Sequence, residues 1–193
     1  MKLSVNEIFY SLQGEGGRAG EASIFIRLTK CNLACSFCDT DFANGDDMTL
    51  EEIHEVLKQY PCKWIIWTGG EPTIQLKDEY LSYFKEHGYK QAIETNGTRR
   101  VPSLIDYISC SPKQDYESIK SRILSVNEIR MPVKAGDDIP DISIFPKADF
   151  YFLSPIFDGN KINMDNVNYC VELIKQHPEW QLSLQIHKLI HIE

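Results

Sequence analysis

No window of this 193-residue chain approaches the ~18 uninterrupted apolar residues that a membrane span requires. The N-terminal MKLSVNEIFYSLQGEGG has a lysine but no apolar stretch of signal-peptide length, and glycine and glutamate follow early. A cytosolic protein is therefore expected. Long basic blocks are also missing and the formal net charge is −8. A nucleic-acid partner is disfavoured, because neutralising phosphates takes clustered Lys and Arg. The chain has no low-complexity tract, no repeat of solenoid length and no long linker, so one domain over residues 1–193 is expected. No second Cys-x-x-Cys accompanies Cys35 and Cys38, which weighs against a zinc site built from two cysteine pairs.

The rest of the composition is that of a globular protein with a sizeable core: 42% of residues are hydrophobic and 25% charged. Apolar, β-branched and aromatic runs recur at 23–29, 63–68, 91–95, 107–110, 128–133, 149–154 and 181–186, and read as strands. Helical patterns lie between several of them. Thr49 with Glu52 forms a capping box for TLEEIHEVLKQY, DEYLSYFKEHG ends at Gly88, and a third pattern covers 163–179. Weaker helical patterns lie near 102–106 and 115–125.

Strand and helix thus alternate about six times, the pattern of an α/β fold with a mainly parallel sheet. A complete eight-fold barrel takes ~250 residues, so this chain is expected to form an open, incomplete TIM-like βα barrel of about six parallel strands. Polar clusters follow the strand ends: Gly69-Gly70-Glu71, Asn96-Gly97, Ser111-Pro112-Lys113, Ser154-Pro155 and His187-Lys188. In a parallel sheet these positions gather on one face, where ligands bind.

Six cysteines in a reducing compartment point to metal binding or catalysis rather than disulfides. Cys62, Cys110 and Cys170 stand apart and read as small buried hydrophobes. Cys31, Cys35 and Cys38 are different, because they lie together directly after the 23–29 strand. Structural zinc would need a fourth ligand from His54, Cys62 or another remote residue. An iron–sulfur cubane usually takes four thiolates, and three leave one iron open to a chelating ligand. Spacing alone favours the open cluster over zinc without excluding zinc.

The Cys-x3-Cys-x2-Cys spacing with Phe37 before the last cysteine, followed by Gly69-Gly70-Glu71-Pro72 after the second long strand, resembles the radical S-adenosylmethionine (SAM) superfamily. Within it, Ser11-Leu12-Gln13-Gly14-Glu15-Gly16 resembles the N-terminal signature of the 7-carboxy-7-deazaguanine synthase family. That resemblance extends to Arg27, Cys38-Asp39-Thr40, Thr68, Glu94-Thr95-Asn96-Gly97, Ser111-Pro112-Lys113 and Gln185-Ile186-His187-Lys188. The glycine-rich stretch is not a phosphate loop, since it lacks the Gly-Lys-Ser/Thr ending.

The resemblance implies a [4Fe–4S] cluster on Cys31, Cys35 and Cys38, with SAM chelated to the open iron. The implied reaction is a radical lyase step in queuosine and 7-deazapurine biosynthesis. A 5′-deoxyadenosyl radical initiates contraction of 6-carboxy-5,6,7,8-tetrahydropterin to 7-carboxy-7-deazaguanine with loss of ammonia, and SAM is reformed. The residues implied for SAM are Phe37, Asp39, Gly69, Gly70, Glu71, Asn96, Ser111, Pro112, Lys113, Ser154, Pro155 and Ile156. Glycines at 69 and 70 would let a backbone edge approach the methionyl amine. Those implied for the pterin are Leu12, Gln13, Gly14, Glu15, Arg27, Thr68 and His187, with the terminal carboxylate of Glu193 at its amino edge. Arg27 sits in an otherwise apolar strand, where its fork suits the substrate carboxylate or a barrel-lining ion pair. Thr40 is implied in a Mg²⁺ site shared with that carboxylate, since Mg²⁺ keeps several waters and needs few protein oxygens.

Two other readings compete. An activating enzyme for a glycyl-radical partner would share the cysteine triplet but would not need SLQGEG, Arg27 or the His187 ending. A zinc-stabilised binding module would be no enzyme. The family resemblance further implies a homodimer and a flavodoxin or ferredoxin electron donor.

Overall fold

The computed structural model describes residues 1–38 and 44–192. Asp39, Thr40 and Glu193, to which the sequence assigns SAM, Mg²⁺ and substrate roles, lie outside the described residues.

The sheet has nine strands among the described residues, in the order β3-β1-β2-β4-β5-β6-β7-β8-β9. These are β1 (Lys2–Leu12), β2 (Ala22–Leu28), β3 (Asp46–Thr49), β4 (Trp64–Gly69), β5 (Lys90–Thr95), β6 (Tyr107–Cys110), β7 (Ser125–Val133), β8 (Lys147–Pro155) and β9 (Gln181–Leu182). From β2 to β9 every neighbouring pair is parallel, whereas β1 pairs antiparallel with β2 and β3. This is the mainly parallel, incomplete barrel expected, extended by an antiparallel edge.

Among the described residues four α-helices complete it: α1 (Leu50–Leu57), α2 (Asp78–Glu86), α3 (Met164–Gln176) and α4 (Ile186–Ile190). The capping box at α1 is formed, with Glu52 N–H donating to Thr49 Oγ1 at 3.2 Å and Thr49 N–H to Glu52 Oε2 at 2.7 Å.

Side-chain alternation divides each strand between two environments. On β2, Ile24, Ile26 and Leu28 point outward and join Ile65, Trp67 and Ile93 beneath α1 and α2, all fully buried. Phe25 and Arg27, the residues between them, face the concave interior. A second core of Ile129, Met131, Val133 and Leu153 sits farther along the sheet with Phe145, Trp180, Cys110 and Cys170. Burial pushes both of those thiols up to about 12, so they remain protonated packing residues. The lower interior is filled by Phe25, Ile66 and Ala92 with Phe9, Trp64 and Tyr107 around them. The Arg18 guanidinium lies 3.7 Å from the centre of the Trp64 ring.

Four expectations need correction. SIFIRLT is not the first strand: Lys2–Leu12 precedes it, so Ser11 and Leu12 end a strand rather than preceding all strands. Its alternation is blurred by the irregularity between Val5 and Glu7 and by polar residues on both faces. The 181–186 run yields only the two-residue β9, and Ile186 and His187 belong to α4. The 115–125 pattern shortens to a 3-10 helix at Tyr116–Ser121. No helix forms at 102–106. There Ser103 Oγ and Leu104 N–H donate to the Asp78 carboxylate, which holds the segment as a turn.

Candidate active site

Because seven consecutive strands run the same way, their C-terminal ends share one rim. The cysteine loop follows β2 there, and Gly69-Gly70-Glu71, Asn96, Ser111-Pro112-Lys113 and Ser154-Pro155-Ile156 follow or end the other strands on the same side.

The cysteine loop is stitched to the end of β4 through backbone groups. Gly70 N–H donates to Leu28 O at 2.9 Å and Glu71 N–H to Lys30 O at 2.9 Å. A Cβ on Gly70 would stand 2.0 Å from the Lys30 carbonyl oxygen, so only glycine permits this approach. The structure therefore supplies a local reason for Gly70 distinct from the SAM contact expected of it. Glu71 is fully buried and lines neither the cavity of the three cysteines nor the one beside it. Its carboxylate accepts from Thr73 N–H and Oγ1 (3.1 and 2.6 Å), Thr95 Oγ1 (2.9 Å) and Asn96 N–H (2.7 Å). Asn96 Nδ2 in turn donates to Asn32 Oδ1 at 3.1 Å, and Asn32 Nδ2 to Thr98 Oγ1 at 2.9 Å. Glu71 thus fixes the β5 exit, which fixes the cysteine loop. Pro112, between two residues of the first cavity's wall, is not itself part of that wall.

Cys31, Cys35 and Cys38 all line a cavity of about 680 Å³, and none forms a disulfide. Phe37, Gly69, Gly70, Asn96, Ser111, Lys113, Ser154, Pro155 and Ile156 share its wall. Burial raises the Cys35 thiol pKa, Lys113 pulls it down, and the Cys38 and Cys31 sulfurs raise it further. Two further sulfurs close enough to act on the Cys35 thiol suit a shared cationic cluster, whose charge would favour the thiolate. Among the described residues no three Cys, His, Asp or Glu side chains gather as a single ion requires. The remote zinc candidates are placed elsewhere. Cys62 donates to Ala22 O at 3.1 Å, at the opposite end of β2, and His54 meets the His87 ring edge-on with ring centres 4.2 Å apart.

A second cavity, of about 920 Å³, adjoins the first. Leu12, Gln13, Gly14, Glu15, Arg27, Thr68 and His187 all line it, and Glu15, Thr68, Glu94, Arg130, Gln185 and Lys188 border both cavities. Glu7 reaches across the β1–β2 pair to Arg27, Oε1 to Nε 2.5 Å. Gly14 O accepts from Ile186 N–H at 2.9 Å, so α4 rather than a strand end carries His187 to this wall. Gly16, at φ +70°, lies so near Glu128 that a Cβ would stand 2.2 Å from its carboxylate. The GEGG turn is thereby seated in the barrel, with Gly16 N–H on Ser183 Oγ (2.9 Å) and Gly17 N–H on Glu128 Oε2 (2.8 Å).

Residues 25–150 match the Radical SAM superfamily. Over 192 residues, covering 100% of this chain and 100% of the other, the sequence is 43% identical to the 7-carboxy-7-deazaguanine synthase of Bacteroides thetaiotaomicron. It is 43% identical to that of Haemophilus influenzae over 201 residues, covering 99% of this chain and 94% of the other. This chain belongs to the 7-carboxy-7-deazaguanine synthase family of radical SAM enzymes. The crystal structure of QueE from Escherichia coli has the same fold, with a TM-score of 0.75 at 25% identity, covering 97% of this chain and 95% of that one. Membership of this family sets aside the glycyl-radical-activating and zinc-module readings.

Sequence reasoning missed Arg130 and Glu128 altogether, along with Asn32, and gave Glu94 no role. A signal was present: Arg130 interrupts an apolar run, as Arg27 does, and was passed over because no motif surrounds it. Among the described residues no helix is long and apolar enough to cross a membrane.

Proposed function

We infer that this chain converts 6-carboxy-5,6,7,8-tetrahydropterin to 7-carboxy-7-deazaguanine and ammonia as one radical SAM domain in the cytoplasm. The observation that carries this is the pairing of a three-thiol cavity with a second, charge-walled cavity across a shared border, in a chain matching the family end to end. The cluster and SAM, when bound, supply the radical that removes one hydrogen atom from the substrate. Everything else falls to the protein.

Cys31, Cys35 and Cys38 would hold the cluster, three thiolates for four irons. Asn96, Ser111, Lys113 and the Ser154–Ile156 segment, all on the first cavity's wall, orient SAM. Lys113 Nζ donates to Ser111 Oγ at 2.7 Å, which brings the two strand-exit residues together. The substrate occupies the second cavity. Its carboxylate lies toward Arg27, whose ion pair with Glu7 must then be shared or exchanged. Gln13, Glu15, Thr68 and His187 supply donors and acceptors for the ring edge. The sheet interior below, filled by Phe25, Ile66 and Ala92, keeps bulk water from the reacting carbon. Mg²⁺ is a third requirement, with Thr40 as its protein ligand. A flavodoxin or ferredoxin provides the electron, and the working form is a homodimer.

Anaerobic turnover tests the assignment. Reconstituted protein with dithionite, SAM and the carboxytetrahydropterin is expected to yield the deazaguanine acid by mass spectrometry. Cleavage of SAM without that product overturns the substrate assignment.

A further inference from the structure

Arg130 projects from β7 into the barrel interior, only 5% exposed, on the border of both cavities. Three carboxylates from three segments converge on it. Glu15 Oε2 lies 3.1 Å from Nη1, Glu94 Oε2 pairs with Nη2, and Glu128 Oε1 lies 3.2 Å from Nε, which also donates to Ser109 Oγ at 2.9 Å. Glu128 is committed to the fold. It is 2% exposed and accepts from Gly17 N–H, Tyr107 Oη and Ser109 Oγ, each at 2.8 Å. Glu15 and Glu94 differ, with side chains 21% and 18% exposed toward the cavities. Apart from Arg130, Glu94 accepts from Gln13 Nε2 at 2.9 Å, and Glu15 meets Ser154 Oγ at 3.5 Å. A carboxylate offers about four acceptor positions, so both keep capacity for a ligand.

We propose that Arg130 is the positioning residue of the substrate site, holding the Glu15 and Glu94 carboxylates side by side as paired acceptors for the adjacent N–H groups of a small heterocycle. This rests on the function inferred above and adds to it how the ring's donor edge is selected. Without a cation between them two carboxylates repel and turn apart, and the guanidinium they share holds both toward one ligand edge. A guanidinium is required because its nitrogens address three carboxylates in fixed directions, which an ammonium cannot do. Burial lowers the Arg130 pKa and the Glu15 charge opposes that fall. The Gln13–Glu94 bond carries the same restraint back into the GEGG turn.

The test measures pterin and SAM binding to anaerobic, cluster-loaded protein by equilibrium dialysis, with kcat and KM beside them. Arg130→Lys is expected to fold, with pterin Kd and KM raised about 10- to 100-fold while SAM affinity stays within about threefold. Arg130→Met leaves the buried Glu128 and the partly buried Glu15 and Glu94 without a cation and can fail to fold. Glu94→Gln therefore serves as the second variant, because it keeps the side-chain shape and removes the charge. It is expected to raise pterin KM about tenfold with the melting temperature nearly unchanged. Pterin KM within about twofold of wild type in both Arg130→Lys and Glu94→Gln, whatever their stability, overturns the proposal alone. A wild-type enzyme that cleaves SAM but leaves the pterin unchanged overturns the assigned function and this proposal together.

Discussion

On the cysteine side of the rim, the chain is held by neutral groups at close quarters: the Gly70 and Glu71 amides on backbone carbonyls, and the Asn96–Asn32 amide contact. Glu71 turns its carboxylate inward, fully buried and hydrogen-bonded, and Lys113 adds a cation at the cavity wall. On the substrate side the wall is rich in charges: Arg27 with Glu7, and Arg130 with Glu15 and Glu94. The contrast follows from what each cavity receives. A cluster and SAM need a loop of fixed shape, which backbone contacts and glycines give to any sequence bearing the motif. A polar heterocycle needs directed acceptors and donors, which only side chains from separated strands provide.

Gly70→Ala challenges this contrast most severely. With Cβ 2.0 Å from the Lys30 carbonyl, the cysteine loop must move bodily. SAM cleavage driven by dithionite is expected to fall about 100-fold, as for any ~1 Å displacement of reacting groups. Retained cleavage would show that the loop is not held by this contact. Glu71→Gln comes next. Its amide NH2 faces donors rather than accepting from them, so urea unfolding should show a loss of about 3 kcal/mol. An unchanged midpoint would mean that Glu71 is not the anchor of the β5 exit.

Asn32→Ala removes the side-chain link between cysteine loop and Asn96 while leaving the backbone links. Iron retention and SAM affinity are expected to drop about tenfold, with pterin affinity at saturating SAM little altered. An equal loss of both affinities would erase the distinction between the two sides. Thr49→Ala lies outside either cavity and breaks only the α1 capping box. It should lower stability by about 1 kcal/mol in thermal unfolding and leave turnover unchanged.

The same contrast explains what could be read from the sequence. The cysteine triplet, Gly69-Gly70-Glu71 and the strand-exit polar residues are local in the chain, so short spacing reveals them and alternation places them on one rim. Glu71 was legible as a motif member but not as a buried acceptor, because the donors it meets at Thr95 and Asn96 come from the next strand. Arg130 and Glu128 sit in β7, more than a hundred residues from the Glu15 turn they hold, and no local pattern announces a contact at that separation. β1 was missed for a different reason: at the antiparallel edge of the sheet its alternation is broken by an irregularity near Asn6. The α4 segment failed because QLSLQI alternates as a strand does, whereas the Ile186 amide bonds to the Gly14 carbonyl and turns the chain into a helix.

The central claim is that Cys31, Cys35 and Cys38 bind a cluster with one iron left for SAM. Metal and sulfide analysis of oxygen-free protein, with electron paramagnetic resonance of the reduced sample before and after SAM addition, tests it most directly. The account predicts a brown protein with about four irons and four sulfides per chain, whose signal changes when SAM is added. A colourless protein carrying one tightly bound zinc per chain, indifferent to SAM, would contradict it.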